Sequence, residues 1–190
     1  MNDKVIEVAL HEYDRLAAEC VARIGYRDNL IYVTLAAYGA VIAYALHNGE
    51  ATTPSEMSVF GLLVLPWVSL ILGWSYLSND LKISEIGNYM RRDLEPRMQS
   101  VIDASNRTLF GYDHAHGLER YRKTRKLIQL LIDEITFVFS GVSALIVFAI
   151  LVPERSRGIN ALCWLEATML AGLFIAFLIH RNPEDRNDRS

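Results

Sequence analysis

The chain has 190 residues, of which 52% are hydrophobic and 22% are charged, and its formal net charge is −3. This charged fraction excludes a protein made only of membrane spans, and the length excludes a large separate domain beside them. Cys20 and Cys163 fall in segments assigned below to different sides or depths of a membrane, so no disulfide between them is expected.

The first segment, residues 1–29, is predicted to be a cytoplasmic helix. Six apolar or small residues recur at spacings of 4 and 3, and such an a/d seam favours packing against another helix. They are Ile6, Leu10, Tyr13, Ala17, Cys20 and Ile24. No proline precedes Pro54, so the helix is expected to continue into the next segment. The open alternative is an amphipathic helix on the bilayer surface.

Four apolar stretches without Lys or Arg define the membrane part. Each approaches or reaches the roughly 20 residues that a helix needs to cross about 30 Å of hydrocarbon. Short connections pair them into two hairpins, residues 30–77 and 127–180. The stretches are Leu30–Leu46, Val59–Leu77, Ile135–Val152 and Ile159–Ile179.

Basic residues lie almost entirely on one side of these stretches. Of 19 Lys and Arg residues, 17 lie in the N-terminal segment, the central segment and the C-terminal tail, and 2 lie in the connections within the hairpins. The positive-inside rule then makes both termini cytoplasmic in a multi-pass protein of the cell (inner) membrane. The predicted fold is all-α, with four transmembrane helices and a helical cytoplasmic extension, or stalk.

The central segment, residues 78–126, is predicted to complete the stalk, and residues 181–190 form a polar tail. The second span is expected to continue as a cytoplasmic helix until Pro96 disturbs it. Cations in this segment are candidates for binding anionic lipid headgroups or, alternatively, a nucleotide-like anion. They are Arg91, Arg92, Arg120, Arg122, Lys123, Arg125 and Lys126.

Glu166 lies inside the fourth stretch and is the main candidate for a functional site. A charged carboxylate facing lipid is costly, so this residue is expected to face protein or water. Thr136, Ser140 and Ser143 offer a polar stripe on the third stretch, which is a candidate neighbouring face with Ser143 nearest to Glu166 in depth. Repetition of Glu166 around an oligomer axis would form a ring that favours cations. The alternative is a glutamate that reaches the headgroups or bonds to a hydroxyl.

Motifs of common enzymes do not occur in the sequence, which lacks a Gly-rich phosphate loop, a plausible catalytic triad and a zincin helix. We therefore expect no enzyme activity, no cofactor, no metal and no binding of duplex nucleic acid. The expected partners are the lipid bilayer, other copies of the chain in a homo-oligomer, and a cytoplasmic protein or nucleotide ligand.

Two segments carry a resemblance to known proteins. Residues 23–30, RIGYRDNL, and residues 77–90, LSNDLKISEIGNYM, resemble small bacterial integral membrane proteins of unassigned role and, more loosely, SLATT-type transmembrane effectors of nucleotide-signalling antiviral defence. The resemblance implies an oligomer, similar to an ion channel, that opens the membrane when a cytoplasmic signal or partner arrives. The alternative is a non-conducting scaffold whose cytoplasmic helices recruit a soluble partner.

Overall fold

A computed structural model describes residues 2–47, 59–102 and 122–180, and every regular element within these ranges is helical. The all-α prediction is therefore confirmed for the described residues. Arg120 and the tail at residues 181–190 lie outside them. In chain order the helices are α1 (Asn2–His47), α2 (Val64–Tyr89), α3 (Glu95–Ile102), α4 (Arg122–Asp133), α5 (Ser140–Leu151) and α6 (Arg157–His180).

Three helical runs in the described part of the chain are long and apolar enough to cross a membrane. They are Gly61–Ser100, Leu127–Leu151 and Arg157–His180. These runs support a membrane-embedded protein. The predicted first span, Leu30–Leu46, lies within α1, but the side chains of residues 45–47 are outside the description, and so the four-span arrangement stays a prediction.

Two π-helical segments, Met90–Leu94 and Glu134–Phe139, join successive α-helices without a break, and a 3₁₀ turn at Gly61–Leu63 precedes α2. The first lies just before Pro96, where the sequence predicts a disturbance. A proline inside a helix removes an N–H donor and clashes with the carbonyl four residues earlier. The wider π-helical turn accommodates this conflict, so the helix continues through α3 instead of ending.

The chain forms two compact units. Unit 1 contains Met1–Asp28 and Ser78–Arg125, and unit 2 contains Asn29–Leu77 and Lys126–Ser190. Helices α1 and α2 each contribute residues to both units, whereas α5 and α6 belong to unit 2 alone. Each unit is described separately below.

Most of the buried side chains of unit 2 are apolar. One buried cluster consists of Val59, Leu62, Leu65, Ala144 and Phe148. Elsewhere in the unit the close approach of the helices favours glycine. A β-carbon added at Gly73 would lie 2.8 Å from Leu173 Cδ2 and 3.0 Å from Phe137 Cβ. Small residues at such positions let helices pack tightly, as is common in membrane bundles.

The outer surface of unit 2 is also apolar. The exposed fraction reaches 75% for Trp164, 71% for Ile150 and 63% for Ile71. In water so many exposed large apolar side chains would be unfavourable, whereas lipid tails are their natural surroundings. The surface thus agrees with the membrane embedding that helix length and composition support.

Unit 1 is more polar. Its buried side chains include Met90, Leu94 and Met98, together with Glu95, which is 2% exposed. The Gln99 side chain donates a hydrogen bond to Glu95 Oε1 over 3.3 Å. The charged group of Glu95 is therefore buried with a hydrogen-bond donor at its side, as buried polar groups generally require.

Candidate functional site

Glu166 faces the interior of unit 2. It lies on the buried face of α6 together with Leu170, Leu173 and Phe177, and its exposed fraction is 0%. Neither carboxylate oxygen has a hydrogen-bond partner within normal geometry among the described residues. The Trp67 side chain interacts with the carboxyl group more weakly. The alternative in which Glu166 reaches the headgroups or bonds to a hydroxyl is therefore not what the structure shows.

The predicted polar stripe on the third stretch does not converge on Glu166. Ser143 is exposed and donates its hydroxyl to the carbonyl oxygen of Phe139 over 2.7 Å. Ser140 donates to the carbonyl oxygen of Thr136. Ser140 and Thr136 are both half-buried. These serine hydroxyls mainly satisfy the backbone of their own helix, an arrangement typical of Ser and Thr in apolar helices.

A different polar group occupies the interior of unit 2. The hydroxyls of Tyr38 and Ser69 are 2.7 Å apart, and Ser69 is fully buried. The Ser140 side chain also interacts with the Tyr38 hydroxyl. Neither Tyr38 nor Ser69 is among the residues that the sequence predicts for a site. A serine within an apolar stretch is a weak signal, and its partner on another helix depends on how the helices are rotated.

A second buried carboxylate lies near the start of the third apolar stretch. Glu134 is 3% exposed, and neither of its carboxylate oxygens has a hydrogen-bond partner among the described residues. Asp133 beside it is 7% exposed. One turn away, Gln129 donates a hydrogen bond to the hydroxyl of Tyr76 over 2.9 Å. This end of unit 2 therefore carries several polar groups, of which the two carboxylates are buried and Gln129 is exposed.

The contacts of two glycines define successive levels within unit 2. A β-carbon at Gly73 would meet Phe137 and Leu173, and a β-carbon at Gly141 would meet Ser69 and Leu170. Helix α6 is antiparallel to the helical run that carries Phe137 and Gly141. Along the bundle axis, Leu173 therefore lies at the same height as Phe137, and Leu170 lies at the same height as Gly141. Glu134 precedes the first level by about one turn, and Glu166 follows the second by about one turn.

Aromatic rings fill the first of these levels. The ring centroid of Phe137 is 5.0 Å from that of Tyr76 and 6.2 Å from that of Phe177. All three side chains are at most 4% exposed. We call these three residues the aromatic layer. Its central ring, Phe137, lies about one turn after Glu134 and one turn before Gly141, which is level with Ser69, so a fully buried ring lies between Glu134 and Ser69 along this helix.

The predicted anion-binding cations are only partly described. Arg91 bonds to the Gly87 carbonyl oxygen and to Asn88 Oδ1 within its own helix, and Arg92 is exposed. The side chains of Arg122, Lys123, Arg125 and Lys126 lie outside the described residues, as does Arg120. The structure therefore does not test whether the seven cations form one site.

The predicted seam on α1 is partly buried within unit 1. Ile6, Tyr13, Ala17 and Cys20 are half-buried, whereas Leu10 is 46% exposed and Ile24 is 37% exposed.

Polar contacts join α1 to α2 beside this seam. The Tyr89 hydroxyl donates to Glu12 Oε1 over 2.8 Å, and Arg27 Nη1 donates to Asp80 Oδ1 over 2.9 Å. Arg23 Nη1 lies 3.4 Å from Asn79 Oδ1. The contacting face thus includes arginines that the heptad pattern omits.

Comparisons with protein-family models, with curated proteins and with solved structures found no significant match to this chain. The resemblance to SLATT-type effectors therefore stays a prediction from the two segments that carry it.

Proposed function

We propose that this chain forms an oligomeric membrane protein that alters the permeability of the cell membrane to cations, in response to a cytoplasmic signal or partner. The observation that carries the proposal is the complete burial of the Glu166 carboxylate without a full hydrogen bond. An acidic side chain at such a position is costly, and in membrane proteins such residues often mark ion or proton pathways.

Because Glu166 faces the interior of unit 2, we infer that the route runs inside this unit of each chain rather than along an oligomer axis. The Tyr38–Ser69 pair, in which Ser69 is fully buried, and Glu134 supply further oxygen atoms within the same unit. The aromatic layer interrupts this series, and rings packed at about 5 to 6 Å between centroids leave no room for a hydrated ion. We infer that the described conformation is closed and that opening requires displacement of Phe137.

The test is ion flux from liposomes that contain the purified full-length protein. Glu166→Gln keeps the volume of the side chain but removes its charge and its capacity to bind a proton or cation. We expect this variant to lower cation flux or cation selectivity at equal protein density. Glu154→Gln is the matched control, because Glu154 is exposed and lies between the third and fourth stretches; its flux should equal that of the wild type.

Unchanged selectivity in Glu166→Gln would remove this carboxylate from the route. An absence of flux from the wild type would instead favour the second candidate function, a non-conducting scaffold that recruits a soluble partner. One observation favours that candidate: α1 exposes Leu10, Val21 and Ile24 in unit 1, and Val21 is 70% exposed. Such apolar side chains offer contact area to another copy or to a partner helix.

A further inference from the structure

Unit 1 contains an open cleft between α1 and α2 that none of the sites above includes. Its volume is about 520 Å³, within the range of small-molecule sites. The lining consists of Arg23, Ser78, Asn79, Leu81, Lys82 and Glu85. Five of these six side chains carry a polar group, but most of the surface that they present to the cleft is apolar, so the cleft favours a ligand with both polar and apolar parts.

Charges of both signs meet in this cleft. Lys82 Nζ lies 2.8 Å from Glu85 Oε2, and both side chains are more than half exposed. Arg23 is held by Glu19 at 2.7 Å and is one-third exposed. Each cation is thus balanced by a nearby carboxylate, which disfavours a purely anionic ligand. A ligand with one negative and one positive group complements such a surface.

The place of the cleft along the sequence indicates the source of that ligand. Ser78 follows directly after Leu77, the last residue of the second apolar stretch, and the charged residues begin within the next turn. Residues at the end of an apolar span lie at the level of lipid headgroups, where long cationic side chains extend toward phosphate. A ligand reaching this cleft is therefore surrounded by phospholipid at high local concentration.

We propose that the cleft binds the phosphoethanolamine headgroup of a membrane phospholipid. Lys82 and Arg23 bond to the phosphate oxygens, to which the Ser78 hydroxyl donates as well, while Glu85 accepts N–H donors from the ammonium group. A choline group has no N–H to donate to Glu85, and a glycerol headgroup has no positive charge. The cleft therefore distinguishes phosphatidylethanolamine from both other lipids. The proposal does not depend on cation permeation.

The experiment measures lipid binding to the purified full-length protein in detergent by native mass spectrometry, with one lipid added at a time. We expect one phosphatidylethanolamine per chain, bound several-fold more tightly than phosphatidylcholine or phosphatidylglycerol. Lys82→Gln should weaken this binding by about tenfold, the usual effect of losing one charge-assisted hydrogen bond. Lys4→Gln is the control, because Lys4 is an exposed cation of the same unit outside the cleft.

Glu85→Gln tests the selectivity. This variant should reduce the affinity for phosphatidylethanolamine to that for phosphatidylcholine, with less effect on phosphatidylglycerol. Because Lys82 and Glu85 are exposed, neither substitution should change the helix content measured by circular dichroism.

Equal binding of all three lipids by the wild type would overturn the proposal, as would equal affinities in Lys82→Gln and Lys4→Gln. A further arm adds soluble glycerophosphoethanolamine or inorganic phosphate; displacement of the lipid at an equal concentration would show that a free solute, rather than a lipid, occupies the cleft.

Discussion

Unit 2 and unit 1 are stabilised by different interactions. In unit 2, glycines bring helices into contact and the aromatic layer fills the interior, with the Phe137 side chain 0% exposed. In unit 1, described contacts between α1 and α2 include an ion pair of Arg27 with Asp80 and a hydrogen bond of Tyr89 with Glu12, both at partly exposed positions. We therefore expect unit 2 to be sensitive to side-chain volume and unit 1 to salt and pH.

The largest effect is expected from shortening the central ring of unit 2. Phe137→Ala should lower the free energy of unfolding by about 3 to 5 kcal/mol, because it removes a fully buried aromatic side chain and leaves a cavity. Phe139→Ala is the matched control from the same π-helical segment, since Phe139 is 54% exposed; its change should stay within about 0.5 kcal/mol. The measurement is unfolding by sodium dodecyl sulfate in mixed micelles, and similar losses for both variants would contradict the described rotation of this helix.

A smaller effect is expected for the ion pair of unit 1. The Arg27 side chain is 19% exposed and the Asp80 side chain is 46% exposed, with 2.9 Å between Nη1 and Oδ1. A double-mutant cycle with Arg27→Gln and Asp80→Asn should give a coupling free energy of about 0.2 to 1 kcal/mol, because solvent screens partly exposed pairs. Added salt should reduce this coupling further.

The control for this cycle is the more exposed pair of Lys82 and Glu85, measured without added lipid, which should couple more weakly. A coupling of several kcal/mol that is insensitive to salt would show that the Arg27–Asp80 pair is shielded from water and would remove the contrast between the two units.

The smallest effect concerns the hydrogen bond from Tyr89 to Glu12. The carboxylate acceptor raises the pKa of Tyr89 above its ordinary value near 10, because the phenol can donate this bond and the phenolate cannot. The folded chain then holds this proton more tightly than the unfolded chain does. The stabilisation is fully present below the unfolded pKa and is lost as the pH rises through the folded pKa.

The titration of Tyr89 is obtained from the ultraviolet absorbance of phenolate, as the difference between the wild type and Tyr89→Phe. Glu12→Gln should move its midpoint to lower pH. An unchanged midpoint would mean that the two side chains do not bond in solution.

The helical class and the apolar runs could be predicted from the sequence because both depend on local properties. A run of about 20 apolar residues satisfies its own backbone hydrogen bonds when it is helical, and the length of such a helix matches the thickness of the hydrocarbon core of the membrane. Glu166 could be singled out in the same way, as an acid within such a run. These inferences need no knowledge of which residues touch.

The contacts of Glu166 could not be predicted, because an apolar run does not reveal its rotation about the helix axis. Where nearly every position is apolar, the pattern has no strong polar side to indicate which residues face inward. The sequence therefore predicts Ser143 beside Glu166, whereas Ser143 is exposed, and it does not indicate the Tyr38–Ser69 pair. Only the packing of the helices placed these side chains.

The α1 seam also shows which contacts the sequence predicts and which it does not, in a helix that does have a polar side. The heptad spacing indicates much of the half-buried face, including Tyr13 and Cys20. Leu10 and Ile24 are nevertheless more than one-third exposed, while Arg23 and Arg27 contact α2. A straight α-helix of 3.6 residues per turn drifts by about 20° per heptad relative to a repeat of 3.5. The sequence by itself determined that α1 is helical and amphipathic. Only the tertiary structure decided which side chains contact α2, because these contacts depend on the helix twist and on the polar partners that α2 presents.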